Sequence, residues 1–300
     1  MINILILSAG TRDKVVQYFK EALAGKGKVI ATDCSPYAPA IYEADEYVLV
    51  PRITEPGYLD KILEICREKQ ITGVLSLIDP ELSLLADNKE RFLEIGTVPI
   101  VPDAKQVDIC FHKYAMYEAC KALGFATGRC FLDRKEFYRA VENGELTYPV
   151  FVKPESGSAS LDIHMAQDQE TVEFLCSRED GLMIQEFMNG QEYGADVYID
   201  MLSGEVISIF VKKKLKMRAG ETDKAESFRE EKLFALITDF VKKMGFRGII
   251  DIDLFEIDGN WYISEVNPRF GGGYPHAWAC GVRVPEMIVR NLEGQTNVPE

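Results

Sequence analysis

Along the first hundred residues, short apolar runs alternate with stretches whose apolar positions recur every three or four residues. The apolar runs fall at residues 4–7, 29–31, 47–50, 73–77 and 98–101. Runs of this length without polar alternation predict strands buried on both faces, as in a parallel sheet. The stretches between them, 14–23, 58–69 and 81–92, carry the period of amphipathic helices. Strand and helix in alternation predict a βαβ half-domain of Rossmann-like type. Ligands of such sheets bind at the carboxyl ends of the strands. Those ends carry Ser8-Ala9-Gly10-Thr11-Arg12, then Asp33 and Ser35, then Asp79-Pro80-Glu81. The first turn has no G-x-G-x-x-G, which argues against a dinucleotide. Arg12, Asp33 and Glu81 read either as helix caps and solvated loop charge or as the rim of a small-substrate pocket.

From about residue 105 the pattern changes. A helix is predicted over 113–123, stopped by Gly124. Strand-like runs at 127–132, 149–153, 163–166 and 182–187 alternate with helices near 134–142 and 168–177. Two longer strands, 192–201 and 205–213, join through Leu202-Ser203-Gly204 and look antiparallel. Residues 225–244 read as the longest helix, and 248–257 with 261–266 as a hairpin about Asp258-Gly259-Asn260. A helix over 284–292 follows, so residues 106–300 read as an α+β region.

Composition narrows the class. Hydrophobic residues at 47% and charged residues at 27% exclude a disordered, collagen-like or coiled-coil chain. Lys and Arg number 34 against 48 Asp and Glu, a net charge of −14 that argues against a duplex nucleic-acid partner. A local cluster of Lys and Arg still suits a polyanion such as ATP. No run reaches the length of a membrane span, roughly 18 apolar residues. The apolar start, residues 1–8, lacks a basic n-region and reads as a buried first strand rather than a signal peptide. Seven scattered Cys with no Cys-x-x-Cys, and three well-separated His, predict mostly buried thiols of a cytoplasmic protein, not a disulfide frame or zinc site.

Three pieces carry chemistry. In the 248–267 hairpin, Asp253 and Glu265 fall on adjacent strands, and Asn267 shares the face of Glu265. Two carboxylates and an amide oxygen make a hard oxygen site suited to Mg²⁺, and Arg269, next on that face, suits a developing anion. The alternative is a surface hairpin of solvated charges, as Asp258 and Asn260 are expected to be. The second piece is a strand ending in Lys153, followed by the small-residue loop Ser156-Gly157-Ser158-Ala159-Ser160. Such a loop lets backbone N–H groups approach phosphate while the lysine supplies charge; it is not a Walker A loop. The third runs from Leu182 to Val197, where Phe187 and Met188 suit an adenine slot and Glu192 suits ribose hydroxyls.

In this order and spacing, the three pieces resemble the ATP-grasp superfamily, most of all the branch of the carbamoyl-phosphate synthetase large chain and related carboxylate–amine ligases. The resemblance covers nearly the whole chain, and its most specific element is Glu265-Val266-Asn267-Pro268-Arg269. It implies a Rossmann-like pre-ATP-grasp domain over 1–105 and an ATP-grasp domain over 106–300. The latter would comprise a small lid subdomain, about 125–185, and a larger antiparallel-sheet subdomain. It further implies ATP with Mg²⁺ or Mn²⁺. Lys113 and Lys153 match the family's phosphate lysines, and Ser156, Gly157, Ser158 and Ser160 its phosphate-covering loop. Glu186 and Met188 match the adenine hinge, and Glu192 the ribose acid. Asp253, Glu265 and Asn267 match the metal set, although relatives carry Gln or Glu where Asp253 stands; Asp251 is a lesser candidate. Arg269 matches the arginine facing the transferred phosphoryl group. Arg218 reads equally as a cation near the substrate and as part of a solvated basic run, Lys212 to Arg218.

The activity so implied is phosphorylation of a small carboxylate followed by transfer of its acyl group to an amine. A positioning site of this kind needs no Ser, Cys or His nucleophile, and none is signalled. Two other readings keep the fold: an ATP-binding regulatory or accessory subunit, and a small-molecule kinase. Expected partners are small-molecule carboxylate and amine substrates, with a possible homodimer and neither nucleic acid nor membrane. Specificity is expected at Arg12, Asp33, Glu81 and residues 274–278.

Overall fold

The computed structural model describes residues 1–157, 162–218 and 221–299. The apolar runs of the first hundred residues pair as predicted. Strands β1 (Asn3–Leu7), β2 (Val29–Asp33), β3 (Glu46–Leu49), β4 (Ile71–Ser76) and β5 (Val98–Pro99) form a parallel sheet in the order β3-β2-β1-β4-β5. Alternation in β1 sorts the helices. Ile4 and Ile6 pack with Val16 and Phe19 of α1 (Asp13–Leu23). Leu5 and Leu7 pack with Ile62 of α2 (Tyr58–Glu68) and with Leu82 and Leu85 of α3 (Asp79–Asp87). The single helix expected over 81–92 is two, α3 and α4 (Lys89–Leu93). Asn88 divides them, its side-chain amide donating to the Leu84 carbonyl at 2.9 Å in place of a helical N–H.

Helices α5 (Ala104–Phe111) and α6 (Lys113–Leu123) lead out of this domain, and α6 ends on left-handed Gly124 as predicted. A small antiparallel sheet follows, built from β6 (Cys130–Phe131), β7 (Val150–Pro154), β8 (His164–Ala166) and β9 (Leu182–Glu186) in the order β6-β9-β7-β8. Helices α7 (Arg134–Glu142) and α8 (Gln169–Cys176) pack on it around Phe137, Val152, Val172 and Ile184. Strand β6 is shorter than the predicted 127–132. Residues 126 and 127 bind elsewhere, with Ile263 N–H donating to the Ala126 carbonyl at 2.8 Å.

The large sheet is antiparallel: β10 (Gln191–Ile199), β11 (Val206–Arg218), β12 (Glu221–Phe228), β13 (Gly248–Ile257) and β14 (Asn260–Asn267), in the order β12-β11-β10-β13-β14. The helix expected over 225–244 is shorter, α9 (Glu231–Met244), because residues 225–228 extend β12. There Phe228 pairs with Val211 and packs beside Trp261, and these cross-strand contacts outweigh helix propensity. One face of the sheet is apolar, with Ala195, Val197, Ile250, Ile252 and Leu254 under Leu233, Ile237 and Phe240 of α9. A register shift at Ser264 turns both Ile263 and Val266 toward that core. The opposite face carries the charged residues described below.

Helices α10 (Tyr274–Ala279) and α11 (Val284–Leu292) return to the first domain. Phe270, Tyr274 and Ile288 join Ile4, Phe19 and Ala31 in one core, and Trp278 stacks on Tyr18 with ring centroids 4.1 Å apart. The segment 274–278, expected to set specificity, therefore lies largely at this junction. All seven cysteines are unpaired; Cys66, Cys120 and Cys130 are buried and the other four are not, fewer than the sequence suggested. Among the described residues, no helix is long and apolar enough to cross a membrane.

Candidate active site

Strand alternation gathers the charged residues. On the large sheet Asp253 pairs directly with Glu265, and Asp251 with Asn267. Asp196 and Gly194 of β10 lie opposite Asp251 and Asp253, so this face carries Glu192, Asp196, Asp251, Asp253, Glu265 and Asn267. Two lysines of β11 reach over it. Lys214 Nζ donates at 2.6 Å to both Glu192 Oε1 and Asp253 Oδ1. Lys212 Nζ donates to Asp196 Oδ2 at 2.6 Å, within a pair almost wholly removed from solvent. Gly194 leaves room for both stems: a Cβ there would lie 3.0 Å from Lys212 Cε and 3.3 Å from Lys214 Cε. At Gly273 a Cβ would lie 2.7 Å from Lys212 Nζ, so the backbone after Arg269 covers the same ammonium.

The basic run from Lys212 to Arg218 is thus not solvated throughout: Lys212 and Lys214 lie over β10, whereas Lys216 and Arg218 lie past the register shifts that follow Lys214, beyond the pairing with β10. The side chains of Lys212 and Lys214 are 2% and 7% exposed, whereas that of Arg218 is 80% exposed and lies 3.8 Å from Asp223. Arg218 is not gathered with the sheet-face residues. Burial pushes the Asp196 carboxyl up to about 6, opposed by Lys212, and it raises Asp251 and Asp253 as well. Burial works against the charge of Lys214, but Asp253 and Glu192 outweigh it and hold the lysine more basic than usual.

Five carboxylates against two ammonium groups leave this face short of positive charge. Among the described residues, no hydrogen bond or ion pair reaches the Glu265 carboxylate. No three His, Cys, Asp or Glu side chains among them form a ready metal cluster. Asp253, Glu265 and the Asn267 amide oxygen are hard donors of the kind Mg²⁺ accepts when phosphate oxygens and waters complete its shell. The donor chemistry and the charge deficit both fit a divalent cation.

The end of the small sheet and the loop after it approach this site. Lys153, at the end of β7, lies near Glu265 and Lys113; burial pushes its ammonium down, Glu265 pulls it up and Lys113 pushes it down again. Lys113 begins α6 and donates to the Gly157 carbonyl at 2.6 Å, while Ser156 bridges to His112. The strand end and the loop start are thus pinned to α6. Ser158 and Ser160 lie outside the described residues. Glu186 accepts from the Arg129 backbone N–H at 2.9 Å, and Met188 packs against Gly128. Glu186, Met188 and Glu192 follow one another where the chain passes from the small sheet to the large one.

The first domain closes the site. Arg269 clasps Asp79, the first residue of α3, through Nε at 2.9 Å and Nη2 at 3.0 Å. Asp33 accepts from the backbone N–H groups of Gly10 and Ser35. Glu81, fully buried, accepts from the hydroxyls of Ser8, Ser76 and Tyr58, and burial raises its carboxyl above the usual range. Sequence reasoning passed over Lys212, Lys214 and Asp196 as site residues, and Asp79 as the partner of Arg269. The signal for the lysines was strand period, since 212 and 214 share a face; no local signal pairs residue 79 with residue 269.

A parallel-sheet domain, an antiparallel sheet with an acidic face and a small lysine-bearing sheet thus meet around these residues. Two family profiles match the chain: "PylC-like, N-terminal domain" over residues 4–101 and "ATP-grasp domain" over residues 110–273. The second covers more than half the chain, which belongs to the ATP-grasp family.

Its relatives include a D-alanine–D-alanine ligase of Ruminiclostridium cellulolyticum, 27% identical over 54% of this chain and 51% of that protein. The arginine-specific carbamoyl phosphate synthase large chain of Geobacillus stearothermophilus is 22% identical over 81% of this chain and 24% of its own. The chain thus matches about half of the first relative and a quarter of the second. A similar fold occurs in the biotin carboxylase domain of the 2-oxoglutarate carboxylase of Hydrogenobacter thermophilus, solved with MgADP, ADP and bicarbonate. Its TM-score is 0.76 at 18% identity, over 98% of this chain and 70% of that one.

Proposed function

We propose that the protein is an ATP- and Mg²⁺-dependent ligase that activates a small carboxylate as an acyl phosphate and joins it to an amine. The observation that carries this reading is the in-register pair Asp253 and Glu265, with Asn267 beside them and Lys153 near Glu265. The relatives named above support it, two of them by name ligases or synthases.

Lys113 and Lys153 supply point charge to the nucleotide phosphates from the lid side. Glu186 and the Met188 backbone border the adenine, and Glu192 meets the ribose. Held through Asp253, Glu265 and Asn267, Mg²⁺ would neutralise charge on the β- and γ-phosphates. Arg269 orients the substrate carboxylate, one oxygen of which bonds to the γ-phosphorus as the bond to the β–γ bridging oxygen breaks and ADP departs. Arg269 then meets the acyl phosphate. The amine attacks the acyl carbon, the bond from that carbon to the phosphate oxygen breaks, and inorganic phosphate and a proton are released. Closure of the two lobes keeps water from this intermediate.

The test is phosphate release from MgATP against a panel of amino acids and small carboxylic acids, with Glu265→Gln beside the wild type. Substrate-dependent release with ADP as the nucleotide product is expected, reduced about 100-fold in the variant. Release indifferent to Glu265→Gln, or no binding of MgATP at about millimolar concentration, would sink the reading.

A further inference from the structure

We propose that Asp79 is a specificity-determining residue: it selects an acid that carries a cationic nitrogen beside its carboxylate, by giving up Arg269 in exchange for that nitrogen. The inference rests on the ligase reading, in which Arg269 meets the substrate carboxylate.

The chain runs from β1 to β2 and β3 on one side, then returns to place β4 on the other side of β1. Ligands of open parallel sheets bind in the crevice at such a reversal. Asp79 stands at its rim, at the carboxyl end of β4, and Arg269 reaches over it from the other domain.

The other acids of this rim are occupied by neutral donors. Two backbone N–H groups hold Asp33, and three hydroxyls hold Glu81. Asp79 differs: among the described residues its side chain has Arg269 as its one hydrogen-bonding partner. The N-terminus of α3 favours a carboxylate at this point, but it offers only about half a unit charge.

When Arg269 turns to a substrate carboxylate, and then to an acyl phosphate, it cannot keep both contacts to Asp79. The abandoned carboxylate is then left in a cavity lined by Leu82, Val107 and Phe111 on one side and by Glu265 and Asn267 on the other. A buried charge stripped of its partner is strongly disfavoured. An acid without a cation leaves Asp79 in that state. A zwitterion does not, because its carboxylate takes Arg269 while its ammonium takes Asp79, so one ion pair opens and two form. The cavity has a volume of about 10 Å³, room for a single water. The clasp must therefore part to admit a substrate.

Calorimetric titration of the full chain tests this. MgADP is titrated first. Each proteinogenic amino acid is then titrated at saturating MgADP beside its deamino acid, such as alanine beside propionate and glutamate beside glutarate. At least one amino acid is expected to bind about ten- to a hundredfold more tightly than its deamino counterpart. In Asp79→Asn the preference should collapse to near unity with MgADP affinity retained, and Asp79→Glu should restore part of it. Equal binding of both members of every pair by the wild type overturns the proposal, and that result needs no variant to fold. So does a preference that survives in Asp79→Asn. If MgADP binds and the pairs are equal, the exchange alone falls. If MgADP does not bind, the ligase reading falls and takes the exchange with it.

Discussion

Lys153 is held in the fold at a cost. Burial and the nearby charge of Lys113 both disfavour its ammonium form, and Glu265 offsets them only in part, so its affinity for a proton lies below the ordinary lysine value of 10.5. A nucleotide phosphate favours the protonated form, so binding is strongest at pH values below the lowered pKa and weakens as pH rises through it. Calorimetry of MgATP binding across the alkaline range should show this decline beginning before an ordinary lysine would titrate. Lys153→Met should weaken binding about ten- to a hundredfold and flatten the pH profile. The same substitution removes a charge that is more costly in the folded than in the unfolded chain. The melting temperature of the nucleotide-free protein should therefore rise, and a fall in both affinity and melting temperature would contradict this account.

Among the elements, those with a clean period were legible and those that depend on a distant partner were not. The all-apolar runs of β1 and β2 announced strands buried on both faces, and α6, α7 and α11 match their predicted bounds because period and stop signals agree. Strand β12 was misread because its residues suit a helix until β11 offers a partner, and the run is too polar to declare its pairing. The 248–267 hairpin was legible as a pairing of Asp253 with Glu265, but the two-residue turn alone would set Asp253 opposite Ser264, and the one-residue shift there brings Glu265 into place. The reach of Lys214 over β10 to Asp253 depends on Gly194, twenty residues earlier, and nothing local announces it. Gly194→Ala tests that reach. The new methyl meets the flexible stems of both lysines, so the fold should survive with a stability change within about 1 kcal/mol. Both ammonium groups must shift, and substrate-dependent phosphate release should fall at least about tenfold. A large loss of melting temperature with unchanged turnover would show that the glycine serves the strand rather than the lysines.

At the scale of the molecule, the topological units and the packed units differ. Phe270, Tyr274 and Ile288 complete the core begun by Ile4 and Phe19, so residues 106–300 expressed alone would expose an apolar surface that the first domain covers. That fragment should bind a hydrophobic dye and lack a cooperative thermal transition; a sharp melt without dye binding would show the second region to be self-sufficient. The sequence displayed two folding patterns meeting near residue 105, but not that their cores merge, because merging depends on which faces meet and not on period. A consequence follows for the order of synthesis. Helix α1 leaves the ribosome long before α11, yet Val15 and Phe19 share their core with Val284 and Ile288. At roughly 5–20 residues per second, the newborn first domain waits from about fifteen seconds to a minute with one apolar flank uncovered. For that interval it is a natural client for whatever shelters nascent chains.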